Sequence, residues 1–168
     1  MTDASTGPAE HAAGGGERIL GIDYGTKRIG VAVGDTETRI ALPLRMLPGR
    51  GDTTRDAVSA AALGEEEGAA AFVVGLPLNM GDNVPTDSPQ TALTRRFAAE
   101  LQRLSGKPVH LQDERLTSQA ATEVLDAAGL AARSRRRKQL TDIIAAQKIL
   151  QAYLDAPRTE GGAGTEEV

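Results

Sequence analysis

Two short apolar runs near the N-terminus, RILGIDY (18–24) and KRIGVAVG (27–34), are separated only by Gly25-Thr26. Each is of strand length, and a two-residue break containing glycine is the signature of a β-hairpin. RIALPLRML (39–47) extends the meander, and Pro43, which cannot donate to a ladder, assigns this third strand to a sheet edge. Beyond it, helical and apolar segments alternate. The spacing predicts a helix over 52–68, opened by Asp52 or Thr53 and closed near Gly68. AAFVVG (70–75) fits a strand buried on both faces. A loop rich in Pro, Asn, Gly and Asp covers 77–89, and an amphipathic helix covers 90–104 with Leu93, Phe97, Leu101 and Leu104 on one side. KPVHLQ (107–112) is the next strand, Thr117 caps a helix through Leu130, a basic loop spans 131–138, and a last helix spans 140–154. A meander followed by βαβα units predicts an α/β domain: a mixed sheet of three antiparallel strands plus parallel ones, with helices on its faces.

At 168 residues the chain is long enough for one substantial core. Residues 1–16 and 156–168 are small, polar and glycine-rich, too poor in apolar surface to offset the entropy of ordering them. They read as mobile tails around a folded unit at 17–155. No segment approaches the ~20 apolar residues of a membrane span, and no charged-then-apolar leader is present, so a cytosolic location is expected. Cysteine is absent, so a metal would be held by oxygen ligands or by His11 and His110, which favours magnesium or manganese. The net charge of −4 comes from the ends. Residues 1–17 and 156–168 hold six of the 23 acidic and one of the 19 basic side chains, which leaves 17 and 18 in residues 18–155, a net of +1. Such a core is compatible with a nucleic-acid partner if its cations cluster.

Four blocks, GIDYGTKRIGVAVGD (21–35), VVGLPLNMGDN (73–83), LQDERLTSQAA (111–121) and LTDIIAAQKILQAYL (140–154), give nearly the whole unit a resemblance to the YqgF/RuvX family. That family is associated with nuclease processing of precursor 16S rRNA and with resolution of four-way DNA junctions. The resemblance implies an RNase H-like fold, in agreement with the strand order. It also implies catalytic carboxylates near the first strand, in the DER block and on the last helix, at Asp23, Glu114 and Asp142, binding Mg²⁺ or Mn²⁺, with Asp113 a further ligand candidate.

Each position also has a plainer chemistry. Asp23 ends an apolar strand, where an unpaired carboxylate costs several kcal/mol. A metal ion would offset that cost, and so would hydrogen bonds from the turn at 25–27. Asp113 and Glu114 are adjacent, so only one can readily share Asp23's side of the sheet. Arg115 either neutralises phosphate or pairs with a neighbouring carboxylate. Asp142 looks like a helix N-terminal residue, well placed to cap free N–H groups. It also continues the apolar stripe of Ala146, Ile149 and Tyr153. Three converging carboxylates repel unless a cation joins them, and two metal ions about 4 Å apart suit in-line phosphodiester hydrolysis.

Arg133, Arg135, Arg136, Arg137 and Lys138 form either a phosphate clamp or a solvated loop. Lys27, Arg28 and Asn79 are further candidates for contact with nucleic acid, and His110 reads as structural. With two Phe and two Tyr, extensive base stacking is not expected. A sugar-kinase or actin-like reading of the opening hairpin would need a second domain, for which no residues remain. An RNA-binding assembly factor without catalysis is the alternative of another class, although three carboxylates would repel phosphate. Monomer and dimer are both open.

Overall fold

A computed structural model describes residues 15–81, 84–116, 135–157 and 165–167. The predicted helix over 117–130 lies outside them. In chain order the elements are β1 (Arg18–Tyr24), β2 (Arg28–Asp35), β3 (Ala41–Pro48), α1 (Thr53–Glu67), β4 (Ala71–Leu76), β5 (Asn79–Gly81), β6 (Val84–Thr86), α2 (Pro89–Ser105), β7 (Val109–Asp113), a 3-10 turn (Glu114–Leu116), α3 (Arg135–Asp155) and β8 (Thr165–Glu167). The main sheet runs β3-β2-β1-β4-β7-β8, and β5 and β6 form a separate two-stranded ribbon. β1, β2 and β3 are the antiparallel meander, β4 and β7 run parallel to β1, and β8 returns antiparallel to β7. The fold class is the mixed α/β architecture that the sequence predicts.

Local chemistry sets the boundaries. Asp52 accepts hydrogen bonds from the Thr54 and Arg55 amides and opens α1, and Gly68 closes it at φ +65°. Ser88 and Thr91 bond reciprocally at the start of α2, with Pro89 in its first turn, and Gly106 closes it at φ +67°. β3 is an edge strand as Pro43 requires. Its register slips where Val31 pairs with Arg45 and Ala32 with Pro43, so Leu44 has no cross-strand partner.

The two faces of the sheet differ in side-chain size. Leu20, Ile22, Tyr24, Ile29, Val31, Phe72 and Val74 point to α1 and α2 and pack on Leu63, Phe97 and Leu101. The alternate residues of the same strands include Gly21, Gly30, Ala32, Gly34, Ala71 and Gly75, and this smooth face receives α3 through Ala146, Ile149, Leu150 and Leu154. Full burial of Ile149 and Leu150 contributes about 1.5–3 kcal/mol each and anchors the helix.

Four expectations need correction. The segment 77–89, read as a loop, carries the paired strands β5 and β6 and the first residue of α2. α3 extends at least to Arg135, so Arg136, Arg137 and Lys138 belong to a helix; Arg, Lys, Gln and Leu are all good helix formers. Leu104 is exposed at the end of α2 rather than part of its core face. Residues 165–167, placed in a tail by composition, pair with the edge of β7, whose unpaired backbone groups offer a template.

Candidate active site

Asp23 lies on the smooth face of β1, next to its C-terminal end. Its cross-strand partner on β2 is Gly30, and on the other side β4 passes from the Ile22–Val74 pair to Gly75. Both flanking positions therefore lack a side chain, and the fold fills both gaps. Above Gly30, α3 comes so close that an added Cβ would overlap the Asp142 carbonyl and stand 2.9 Å from the Ile143 amide nitrogen. Above Gly75, an added Cβ would overlap the Glu114 carboxylate and the Ile149 side chain. The Gly30–Asp23–Gly75 row thus lets one helix and one acidic side chain close on Asp23.

The result is a cleft of about 370 Å³ lined by Asp23, Glu114 and Asp142, the Tyr24–Arg28 turn, Pro77 and Gln90. Its charges are internally compensated. Asp23 and Glu114 share a side-chain hydrogen bond, and burial, then the charges of Glu114 and Asp142, push the Asp23 carboxyl well above the ordinary carboxylate range, with Arg28 opposing. Burial also raises Glu114; the bond to Asp23 opposes that shift and the charge of Asp113 adds to it. Burial raises both carboxyls, Asp23 well above the ordinary range, so the pair holds a proton in common across their shared hydrogen bond. Arg28 Nε donates to Asp142 Oδ2 at 2.7 Å.

Among the described residues, no three acidic or imidazole side chains already stand as a ligand set, because Asp23 is turned to Glu114 and Asp142 to Arg28. The donor chemistry nevertheless fits a hard divalent cation. Three carboxylates face one cleft, and their mutual repulsion is relieved by one shared proton and one guanidinium, both of which an ion could displace.

The structure brings together Asp23, Lys27, Arg28, Glu114 and Asp142 from the residues singled out in the sequence. Asp113 is drawn elsewhere: its carboxylate accepts from the Arg115 amide at 2.9 Å and from Arg115 Nε at 2.7 Å, and that guanidinium holds it below the usual range. Neither Asp113 nor Arg115 lines the cleft. Asp142 is not a cap, since α3 begins at least seven residues before it; its stripe through Ala146 and Ile149 is buried as the periodicity requires. Arg136 and Lys138 are exposed, Arg137 is half-buried, and none of them lines the cleft, although Lys138 stands one helical turn before Asp142. Arg133 and the side chains of Asn79 and Arg135 lie outside the described residues. His110 stacks on Tyr153, ring centroids 5.3 Å apart.

Gln90 was not legible as a site residue. It lines the cleft and its Nε2 donates to the Tyr24 carbonyl at 3.2 Å, which ties α2 to the turn after Asp23. Only its place just inside the Ser88 cap hints at an inward role. Tyr24 is fixed from below by stacking on Phe97 at 4.2 Å and by donating its hydroxyl to Asp56 at 3.0 Å.

The model of a family described as RuvX, Holliday junction resolvase, matches residues 17–156. The chain belongs to the RuvX family. A relative from Chloroflexus aggregans is 43% identical over 143 residues, covering 84% of this chain and 96% of its own length. One from Moorella thermoacetica is 44% identical over 138 residues, covering 82% and 94%. Both relatives carry the provisional name pre-16S rRNA nuclease. Among solved structures, Thermus thermophilus RuvC aligns with a TM-score of 0.50 at 12% identity, over 90% of this chain and 99% of that one. That likeness bears on fold alone, and it agrees with the RNase H-like architecture expected for RuvX. Among the described residues no helix is long and apolar enough to cross a membrane.

Proposed function

We propose that this RuvX protein is a hydrolase that cuts nucleic acid backbones at the Asp23–Glu114–Asp142 cleft, acting in the cytoplasm on the 5′ leader of precursor 16S rRNA. The observation that carries the site assignment is the convergence of three carboxylates, from β1, the turn after β7 and α3, over a row of glycines that lets them approach one another. Relatives that match over most of their own length are named for this RNA substrate.

Asp23, Glu114 and Asp142 would hold Mg²⁺ or Mn²⁺, and the Asp23–Glu114 pair would give up its shared proton. Such an ion supplies Lewis-acid activation and neutralises charge on phosphate. Lys27 and Arg28, on the cleft wall, meet the phosphate oxygens. Gln90 fixes the turn that carries both. Water adds to phosphorus and loses a proton, one P–O bond breaks, and the departing oxygen takes up a proton. Among the described residues no serine, cysteine or histidine lines the cleft, in keeping with direct attack by water rather than a covalent intermediate. The cations of α3, Arg136, Arg137 and Lys138, extend the contact along the backbone of the substrate, with Arg133 and Arg135 beside them in sequence.

The description of the family model favours a second reading, cleavage of four-way DNA junctions. That activity needs two sites in a symmetric dimer. Incubating the protein with a pre-16S 5′ leader RNA and a synthetic junction, each with Mg²⁺, Mn²⁺ or EDTA, separates the possibilities. The expected result is metal-dependent cutting of the RNA in preference to the junction. Preferential junction cutting would select the resolvase reading. Binding without cutting under every metal condition would identify an assembly factor.

A further inference from the structure

Arg28 begins β2 two residues before Gly30, so its side chain leaves the sheet on the same face as Asp23 and α3. Among the described residues it meets Asp142 through a single nitrogen, Nε, rather than through the two-pronged geometry that makes Arg–carboxylate pairs strong. The two partners are unequally placed. The Arg28 side chain is 37% exposed and that of Asp142 is 19% exposed, so the guanidinium reaches in from the rim while the carboxylate is fixed on a helix packed to the sheet. Arg28 can withdraw by rotation of its long side chain, whereas the short Asp142 side chain stays near the cleft because its backbone is packed against Gly30.

We propose that Arg28 is an exchangeable counter-ion: it holds Asp142 while no divalent ion is bound, is displaced when one binds, and then holds a phosphate of the nucleic acid. The inference rests on the hydrolytic reading above. Its physical basis is competition and repulsion. A divalent ion held by the cleft carboxylates would compete with Arg28 for Asp142 and would be repelled by the guanidinium, in a partly enclosed cleft where such repulsion is weakly screened. The displaced guanidinium remains on the same cleft wall as Lys27, where an incoming phosphate offers it new acceptors. Ion loading and substrate binding then reinforce each other through one side chain, and by linkage the coupling is reciprocal.

The test compares wild type with Arg28→Gln and with the charge-retaining Arg28→Lys. Mn²⁺ binding to the free protein is measured by calorimetry. Binding of a leader RNA is measured by anisotropy with and without Ca²⁺, with the RNA checked on a gel for intactness. Arg28→Gln is expected to bind Mn²⁺ about fivefold tighter, which corresponds to about 1 kcal/mol at 1.4 kcal/mol per tenfold change. Ca²⁺ is expected to strengthen RNA binding by the wild type, and that gain is expected to fall about fivefold in Arg28→Gln and to persist in large part in Arg28→Lys. Unchanged or weaker Mn²⁺ binding by Arg28→Gln overturns the proposal, as does a Ca²⁺ response identical to that of wild type. The hydrolytic reading fails on a separate result, the absence of Mn²⁺-dependent cutting by the wild type.

Discussion

Substitution of Gly30 by alanine tests whether the close approach of α3 is what assembles the cleft. An added Cβ overlaps the Asp142 carbonyl and lies 2.9 Å from the Ile143 nitrogen. Ordinary separations are about 3.5 Å, and the obstacles are helix backbone rather than the tip of a flexible side chain, so α3 must lift locally by about 1 Å. Overpacking of this kind typically costs about 1–3 kcal/mol of stability. The same displacement carries Asp142 away from Asp23 and Glu114, and a 1 Å error in such a site costs on the order of 10²-fold in rate. Urea denaturation and single-turnover cleavage on the same preparation separate the effects. The expected outcome is a folded protein with a modest stability loss and a rate loss near two orders of magnitude. Wild-type cleavage in a folded Gly30→Ala protein would mean that the bare backbone at Gly30 is not what positions Asp142.

Three other perturbations follow from the same geometry. Asp23 has a folded-state pKa above its unfolded value of ~3.9, so in EDTA the wild type should lose stability as pH rises between those two values, at up to about 1.4 kcal/mol per pH unit. Asp23→Asn, which can still donate to Glu114, should remove that contribution, be the more stable protein at pH 8 and lose its advantage near pH 4; parallel urea midpoints across that range would contradict this. Tyr24→Phe removes the hydroxyl donor to the fully buried Asp56 and should cost about 1–3 kcal/mol in denaturant titrations, while a neutral result would mean that water or another donor takes its place. Joint replacement of Arg136, Arg137 and Lys138 by alanine should make the salt dependence of RNA binding shallower, by about 0.7 in the log–log slope for each phosphate no longer neutralised; an unchanged slope would make these cations an ordinary solvated helix face.

Much of the fold was legible because its signals are local. The hairpin at Gly25-Thr26, the Asp52 and Gly68 ends of α1, the fully buried β4 and the edge position forced by Pro43 all depend on neighbouring residues. The start of α3 was not, because RRRKQL has helical propensity without apolar periodicity, and Asp142 imitates a cap at the point where periodicity begins. β8 was hidden because its pairing comes from the open edge of β7 and not from its own composition. At the site, Asp23, Glu114 and Asp142 were found as residue types in sequence blocks, whereas the reason they meet was not. It resides in Gly30 and Gly75, whose meaning depends on what lies above them, and in an ion pair between Arg28 and Asp142 that spans 114 positions. Exposure of Leu104 and the inward turn of Gln90 likewise depend on where α2 sits against the sheet.

Whether Asp23, Glu114 and Asp142 act as one hydrolytic centre is decided by single-turnover cleavage of the leader RNA in Mn²⁺, at saturating protein. The rates are measured for Asp23→Asn, Glu114→Gln, Asp142→Asn and the Asp23→Asn/Asp142→Asn pair, with RNA binding followed alongside. Each single variant is expected to bind RNA and to lose on the order of 10³-fold or more in rate, and the pair to lose little beyond either single, as groups serving one unit do. A folded variant that cuts within about tenfold of wild type would place the chemistry elsewhere.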